Sequence, residues 1–189
     1  MKFTEIQFTD EELVGRVCGG EQELYGEVIR RYEDKLRRYV GYLVSDPGFD
    51  GEGVVQNILL KGFVNLRGFD VRKSFSSWIY RIAHNEVMNA VKHAKLRQSD
   101  DLALFSDVLK GQEDTAKEVE DTMVREQIEG CLSAIPLQYR EVVVFFYFEQ
   151  YTYDQISDIL HIPVQTVGTL LHRGKKLLKS VCERKGVRP

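Results

Sequence analysis

Apolar residues recur at steps of three and four along most of this chain, and this spacing restricts the fold more than any other feature. The clearest run extends from Tyr25 to Leu43 and stops before Pro47 and Gly48. Such spacing places apolar side chains along one side of an α-helix. Similar runs follow Thr9, occupy 54–66, and extend from Phe75 to about residue 96. The N-terminal half is therefore predicted to form one domain of four helices.

A continuous apolar run at 142–148 allows two interpretations. It consists of Val-Val-Val-Phe-Phe-Tyr-Phe, and β-branched and aromatic residues favour strands. Pro136 lies just upstream, however, and proline suits the first turn of a helix. We favour a helix because no segment elsewhere in the chain looks like a partner strand.

The segment after this run has the pattern of a helix-turn-helix. Thr152 and Gln155 form a capping box that begins a short helix, and His161-Ile162 and Pro163 predict a tight turn into a longer one. The inner face of the longer helix is predicted to be apolar, and its outer face is polar, with Gln165, Thr169, His172 and Lys176. An ordinary helical hairpin would show the same spacing. The neighbouring basic residues Arg173, Lys175 and Lys179 favour DNA binding.

Charge is distributed unevenly, although the formal net charge is only -3. Residues 61–97 hold 8 basic and 2 acidic side chains, and 164–189 hold 7 and 1. Residues 96–130 hold 4 basic and 10 acidic side chains, so part of this segment is predicted to be an acidic linker. Phosphate neutralisation is local, so two basic patches are compatible with nucleic-acid binding despite the acidic total.

Several classes of protein are disfavoured. No run approaches the ~20 apolar residues that span a bilayer, and the N-terminus lacks an export signal, so we expect a cytoplasmic protein without membrane insertion. Three widely separated cysteines without neighbouring histidine pairs indicate neither a disulfide framework nor a metal site. No phosphate-binding loop or nucleophile motif is present, so neither a cofactor nor enzymatic activity is expected.

Two groups of short stretches follow a known pattern. The first group is Tyr139-Arg-Glu-Val142, Tyr153-Asp-Gln-Ile156, Ile162-Pro-Val-Gln-Thr-Val167 and Leu171-His-Arg-Gly-Lys-Lys-Leu177, and the second is Phe75-Ser-Ser-Trp-Ile-Tyr-Arg-Ile-Ala-His-Asn85. The first group resembles region 4, and the second resembles region 2, of RNA polymerase sigma factors of the extracytoplasmic-function (ECF) group in the sigma-70 family. Both occur in the family's order and spacing.

The resemblance implies an all-α fold of two helical domains joined by a flexible linker. Residues 1–97 would be region 2, which binds core RNA polymerase and recognises and melts the minus-ten element. Residues 98–126 would be the linker, and 127–189 would be region 4, which reads the minus-thirty-five element through its helix-turn-helix. It further implies that core RNA polymerase, promoter DNA and an anti-sigma factor are partners.

The implied site residues fall into three sets. Minus-ten DNA would be contacted by Lys73, Phe75, Trp78, Tyr80, Arg81, His84 and Asn85. Minus-thirty-five DNA would be contacted by Gln165, Thr166, Thr169, His172, Arg173 and Lys176, and core polymerase by Glu52, Val55, Gln56 and Leu59. Aromatic faces can replace the stacking that is lost when a duplex opens, and an amide can bind the edge of an extruded base. Trp78 and Tyr80 point in different directions on a helix, so either could instead belong to the core.

Among the departures from the family pattern, three bear on the proposed contacts. Gly53 replaces a usually acidic residue, and Gly168 and Leu170 replace commonly basic ones. A second hypothesis therefore stays open, in which the chain is a sigma-like DNA-binding regulator or interaction protein that cannot initiate transcription.

Overall fold

A computed structural model of the chain describes residues 8–44, 46, 48–100 and 127–187, with the side chains of 95–100 excepted. All regular structure in these ranges is helical, which confirms the predicted all-α class. The linker predicted at 98–126 lies outside the described residues apart from the end of one helix. Within the described ranges, no helix is both long and apolar enough to cross a membrane.

The N-terminal domain contains the four predicted helices. They are α1 (Asp10–Cys18), α2 (Tyr25–Leu43), α3 (Gly51–Asn65) and α4 (Phe75–Asp100), with single 3₁₀ turns at Gln22–Leu24 and Leu66–Gly68. The apolar stripe predicted on α2 faces the core, and its members from Tyr32 to Leu43 are at most 2% exposed. Burial of these stripes against one another, rather than intrinsic helix propensity, is the main source of the domain's stability.

Side-chain caps determine where two of these helices begin. The Thr9 hydroxyl accepts a hydrogen bond from the Glu12 N–H, and the Glu12 carboxylate accepts one from the Thr9 N–H at 2.9 Å, as the capping box predicts. At the start of α3, the Asp50 carboxylate accepts from the Gly53 N–H at 2.8 Å. A Cβ at Gly53 would lie 2.3 Å from this carboxylate, so glycine lets the cap sit close to the helix end.

The C-terminal domain is also helical throughout its described part. It comprises α5 (described at 127–133), α6 (Leu137–Val143), a π-helical turn (Val144–Phe148), α7 (Tyr153–Leu160) and α8 (Val164–Arg184). The apolar run at 142–148 is therefore helical, and the strand interpretation is wrong. Pro136 and Pro163 each precede the first helical residue rather than occupy it, a displacement of one position from the prediction.

The predicted helix-turn-helix is present. Thr152 and Gln155 form the capping box of α7, and His161 ends that helix in the left-handed conformation at φ 54°. The Ser157 hydroxyl donates to the Ile162 carbonyl at 2.6 Å and fixes the turn. Gly174 lies where α8 meets α6, and a Cβ there would be 2.8 Å from Val143 Cγ2 and 3.0 Å from the Tyr139 carbonyl oxygen.

The two domains pack against each other. Helix α4 contacts α7, and α2 contacts α6, so buried residues of both domains join in one hydrophobic core. Tyr39 of α2 stacks on Phe145 with ring centroids 5.0 Å apart, and Tyr80 of α4 lies edge-on to Phe145 and Tyr151. The sequence pattern predicts two domains but gives no sign of this contact.

We predict opposite effects for two glycine substitutions on α8. Gly174→Ala should lower the free energy of unfolding by about 1–3 kcal/mol, because the new methyl group overlaps α6. Gly168→Ala should be neutral or stabilise by up to ~1 kcal/mol, because its Cβ meets only Tyr153 Cε2 at 3.6 Å and glycine is a poor helix former. Thermal denaturation followed by circular dichroism measures both. Equal melting temperatures would contradict the proposed helix contact.

Candidate nucleic-acid and polymerase interfaces

The outer face of α8 is polar and open to solvent. All of the residues predicted to contact minus-thirty-five DNA are exposed, namely Gln165, Thr166, Thr169, His172, Arg173 and Lys176. The opposite face is buried at Val167, Leu171, Gly174 and Val181. Val164 is 38% exposed because it begins the helix beside the turn. The geometry is that of a helix free to enter a groove.

Further basic side chains extend this face toward the helix end. Arg173, Lys175, Lys176 and Lys179 are all exposed, and Glu183 at 3.8 Å from Lys179 is the nearby acidic partner on α8. The Thr169 hydroxyl donates to the Gln165 carbonyl at 2.9 Å, so its oxygen remains an acceptor toward solvent. Amide, hydroxyl and guanidinium groups on one helical face can contact both base edges and phosphates.

The residues predicted to contact minus-ten DNA are divided between surface and interior. Lys73 and Asn85 are exposed, and Trp78, Arg81 and His84 are partly buried. Phe75 and Tyr80 are buried, at 0% and 1% exposure. Phe75 packs within a cluster that includes Tyr32, Phe69 and Trp78, with ring centroids 5.3–5.6 Å apart. Core packing therefore accounts for Phe75, and Trp78 keeps one partly open side.

Tyr80, Arg81 and His84 are bonded to the C-terminal domain. The Tyr80 hydroxyl donates to the Glu149 carboxylate, and Arg81 Nη2 donates to the Asp158 carbonyl at 2.6 Å. His84 Nδ1 lies 2.7 Å from Glu141 Oε1. In this conformation, the polar ends of these three side chains of α4 contact the C-terminal domain.

Glu149 lies at the edge of this contact and is partly desolvated. Burial raises the pKa of its carboxyl above the usual 4.5, although the hydrogen bond from Tyr80 and the charges of Arg38 and Lys35 oppose that rise. A polar cavity of about 270 Å³ opens beside it, lined in part by Lys35, Arg38 and Gln155. The Glu149 carboxyl therefore lies between the buried Tyr80 and a solvent-accessible surface that carries Lys35 and Arg38.

Helix α3 presents a mixed polar and apolar strip. Glu52 and Gln56 are exposed as expected, and Glu52 Oε2 accepts from Arg37 Nε at 3.2 Å. Val55 and Leu59 are only 1% and 8% exposed, because they face α2 and α4, so the prediction that they lie on a contact surface does not fit this conformation. The exposed apolar residues on this helix are Leu60, Phe63 and Val64, at 59%, 37% and 69%.

Comparison with known proteins identifies both domains. The family model described as "Sigma-70 region 2" matches residues 28–97, and that described as "Sigma-70, region 4" matches 125–178. Together these segments span about two thirds of the chain. The ECF RNA polymerase sigma factor SigW of Bacillus subtilis is 26% identical over 174 residues, covering 88% of this chain and 92% of that protein. The chain belongs to the ECF group of the sigma-70 family.

Other proteins are similar over most of the chain's length. The ECF RNA polymerase sigma-E factor of Escherichia coli K12 is 27% identical over 180 residues, covering 91% of this chain and 93% of the relative. The solved structure of CnrH in complex with the cytosolic domain of CnrY has a TM-score of 0.68 at 18% identity, covering 93% of this chain and 97% of that one. The sigma factor RpoE of Bartonella quintana, in complex with the anti-sigma factor NepR, has a TM-score of 0.67 at 16% identity, covering 84% and 96%. These likenesses confirm the fold of the ECF group.

Sequence reasoning missed the polar residues between the domains. Tyr39 and Glu141 are 102 positions apart, and the Tyr39 hydroxyl donates to Glu141 Oε1 at 2.6 Å. The Ser76 and Tyr151 hydroxyls are also hydrogen-bonded across this contact. Periodicity describes which face of one helix is apolar, so it carries no information on pairing between distant helices. Glu141 directly precedes the apolar run at 142–148, and this position is the one sequence signal that could have indicated a buried partner.

We predict that Glu149 makes stability fall as the pH rises. A carboxyl whose folded-state pKa is raised stabilises the fold below its usual pKa of 4.5 and loses that contribution as the pH passes through the raised value. Glu149→Gln should therefore melt higher than the unsubstituted chain at pH 7, and this difference should shrink toward pH 4.5. Melting curves across this range provide the measurement.

The matched control is Glu183→Gln, since Glu183 is an exposed carboxylate on α8. Its effect on the melting temperature should be small at every pH. A Glu149→Gln protein that melts lower than the unsubstituted chain at pH 7 would show that the Tyr80 hydrogen bond to the ionised carboxylate outweighs its desolvation.

Proposed function

We propose that this chain is a sigma factor that binds core RNA polymerase and directs promoter-specific initiation of transcription. The observation that carries the proposal is the exposed, basic outer face of α8 in the same chain as the aromatic and amide motif of α4, in the order of regions 2 and 4. The chain acts through binding energy and performs no covalent step of its own. It acts in the cytoplasm, where polymerase and promoter meet.

The C-terminal domain, residues 127–189, reads the minus-thirty-five element. Helix α8 enters the major groove, where Gln165 and His172 lie toward base edges and Arg173 and Lys176 toward phosphates. Gly168 and Leu170 remove two of the family's basic positions. Lys175 and Lys179, which are exposed on the same helix, supply replacement charge.

The N-terminal domain, residues 1–97, binds and melts the minus-ten element. Asn85 is exposed on α4, where its amide can bind the edge of an extruded base. Trp78 provides an aromatic face, and Lys73 in the preceding loop holds the phosphate backbone. Arg81, His84 and Tyr80 join this surface once they are released from the C-terminal domain.

The strip on α3 binds core polymerase. Glu52, Gln56, Leu60 and Phe63 follow one another at steps of three and four, so they share one face of the helix. An exposed apolar strip bordered by polar side chains is typical of a surface that binds another protein. Leu60 and Phe63 thus replace the buried Val55 and Leu59 as the apolar part of this contact.

An anti-sigma factor is a further proposed partner. RpoE of Bartonella quintana was solved with the anti-sigma factor NepR, and CnrH was solved with the cytosolic domain of CnrY. We extend this kind of partner to the present chain, because the region 2 and region 4 matches cover both of its domains.

Reconstituted transcription tests the proposed function. Purified chain would be added to core polymerase and fragmented genomic DNA, and the transcript starts would be sequenced. Starts that share two upstream elements support a sigma factor. Polymerase-independent DNA binding without transcripts would support the alternative of a sigma-like regulator. This alternative is suggested by the departures from the family pattern at Gly53, Gly168 and Leu170.

We predict that Leu60→Asp lowers the affinity for core polymerase by roughly tenfold or more, because a charge would be buried in the contact. The fold should be unaffected, since Leu60 is 59% exposed. Val71→Asp is the matched control, because Val71 is 49% exposed but lies off α3. Fluorescence titration with labelled core polymerase gives both affinities. Equal losses for the two variants would exclude the α3 strip.

We predict that Asn85→Ala reduces initiation at the preferred minus-ten sequence by roughly tenfold, the equivalent of one lost hydrogen bond to a base. Core binding should not change. Asn89→Ala is the control, since Asn89 is also exposed on α4 and lies one turn further on. Transcription from promoters with each minus-ten substitution provides the measurement, and an unaltered base preference would contradict the assignment.

We predict that Arg173→Ala weakens binding to minus-thirty-five duplex DNA and reduces the salt dependence of that binding by about 0.9 in the slope of log K against log salt. The reason is the loss of one phosphate contact. Arg67→Ala, an exposed arginine of the N-terminal domain, should leave the slope unchanged. DNA titrations at several salt concentrations measure this slope for each variant. An unchanged slope for Arg173→Ala would exclude a phosphate contact by Arg173.

A further inference from the structure

Two cysteines that are far apart in sequence lie together inside the C-terminal domain. Cys131 lies on α5 and is 0% exposed, and Cys182 lies near the end of α8, where it is partly buried against the same hydrophobic core. The third cysteine, Cys18, is exposed on α1 of the N-terminal domain. Cys131 and Cys182 are both free thiols in this structure. Sequence spacing alone gives no sign that they form a pair.

A side-chain contact ties the end of α8 to α5 beside these two thiols. Lys185 Nζ donates to the Gly130 carbonyl at 2.6 Å. Gly130 directly precedes Cys131, and Lys185 follows Cys182 by about one helical turn. The Lys185 N–H also donates to the Cys182 carbonyl at 3.1 Å, so the backbone between these two residues stays helical. The turn of α5 that carries Cys131 is therefore held against the turn of α8 that carries Cys182.

The Cys182 thiol is perturbed directly by its neighbour. Burial raises the pKa of this thiol to about 11; a hydrogen bond with Cys131 and repulsion between the two sulfur charges contribute to the rise, and Lys185 opposes it. Within the described residues, no group of three or more His, Cys, Asp or Glu side chains could hold a metal ion. The chemistry that this pair offers by itself is therefore that of a dithiol.

We propose that Cys131 and Cys182 are a site of reversible disulfide formation, oxidised by a small-molecule disulfide such as oxidised glutathione. The Cys182 thiolate reacts first, because Cys131 is closed to solvent. It attacks one sulfur of the reagent, breaks the S–S bond and expels one glutathione thiolate. The Cys131 thiolate then attacks the Cys182 sulfur and expels the second. In total, the two protein thiols lose two protons and two electrons, and the reagent becomes two molecules of reduced glutathione.

The environment of Cys182 determines how fast this bond forms and how well it lasts. Exchange requires the thiolate, so the raised pKa of Cys182 makes oxidation slow near neutral pH. Dithiols that act as strong oxidants do so because their reduced form is stabilised, and a disfavoured thiolate has the opposite effect. We therefore expect a disulfide that forms slowly and resists reduction, rather than a fast redox sensor.

The disulfide would close a covalent loop around the helix-turn-helix. The segment 131–182 contains α6, the π-helical turn, α7 and most of α8. Such a loop stabilises a fold mainly by restricting the unfolded chain. Lys176, the last of the residues predicted to contact minus-thirty-five DNA, lies more than one turn before Cys182. Oxidation should thus stabilise the C-terminal domain while leaving the outer face of α8 open. This inference goes beyond the proposed function and does not depend on it.

Peptide mapping of the purified full-length chain tests the site. The reduced chain would be incubated with oxidised glutathione, quenched with acid, alkylated, and digested without reducing agent for mass spectrometry. We expect a peptide pair linked through Cys131 and Cys182. Its rate of formation should rise roughly tenfold per pH unit between about pH 7 and about pH 9, because the thiolate fraction of Cys182 rises by that factor below its pKa.

Matched cysteine variants separate the internal bond from other thiol reactions. Cys18→Ser should form the linked pair as fast as the unsubstituted chain, whereas Cys182→Ser and Cys131→Ala should form none. The oxidised unsubstituted chain should melt roughly 5 °C or more above its reduced form. Cys182→Ser should show no such shift. Circular dichroism of each reduced variant checks that its helix content is unchanged, and the use of two variants covers the case in which one of them misfolds.

Three results would overturn the inference. The first is glutathione that stays on Cys182 as a stable mixed disulfide, and the second is oxidation that yields only dimers linked through Cys18. The third is an oxidised chain that melts at the same temperature as the reduced one. None of these measurements uses polymerase or promoter DNA. A failure of the proposed function would therefore appear in the transcription assay alone, and a failure of the disulfide site in the peptide map and the melting curves alone.

Discussion

The buried carboxylate of Glu141 is the interaction on which the arrangement of the two domains depends. Apolar contacts such as Tyr39 on Phe145 bring the domains together, but such contacts are non-directional and tolerate other relative positions. A charged group taken out of water is stable only in a geometry that returns its hydrogen bonds. Because Tyr39 and His84 supply them, one docking geometry is favoured over the alternatives, and the same geometry places α6 and α7 over α4.

Two of the departures from the family pattern differ in their structural basis. Gly53 is the residue whose N–H binds the Asp50 cap, and a side chain there would crowd that cap. Gly168 has room for a methyl group against Tyr153, so the helix does not require glycine at this position. The first departure is thus explained by the local structure of α3, whereas nothing in the structure explains the second.

Local features of the fold could be predicted from sequence, and contacts between distant segments could not. The capping boxes at Thr9 and Thr152, and the polar face of α8, follow from residues within a few positions of one another, and the structure confirms them. The expectation that Val55 and Leu59 of α3 contact core polymerase was less accurate. It came from the family resemblance, which assigns roles to positions but does not show which side of the helix faces the core. Val55 and Leu59 belong to the apolar run at 54–66 and are buried, and Leu60 is exposed. Tyr39 and Glu141 had no local signal to connect them.

The account's central claim is that Glu141, through its contacts with Tyr39 and His84, holds the two domains in one closed arrangement. Single-molecule fluorescence energy transfer tests it most directly, with one dye on the exposed Cys18 of α1 and a second on a cysteine introduced at Lys179 of α8. The account predicts high transfer for the unsubstituted chain and a loss of transfer for Glu141→Lys, because this change removes the carboxylate that accepts from the Tyr39 hydroxyl. Low transfer in the unsubstituted chain, or high transfer retained by Glu141→Lys, would contradict it.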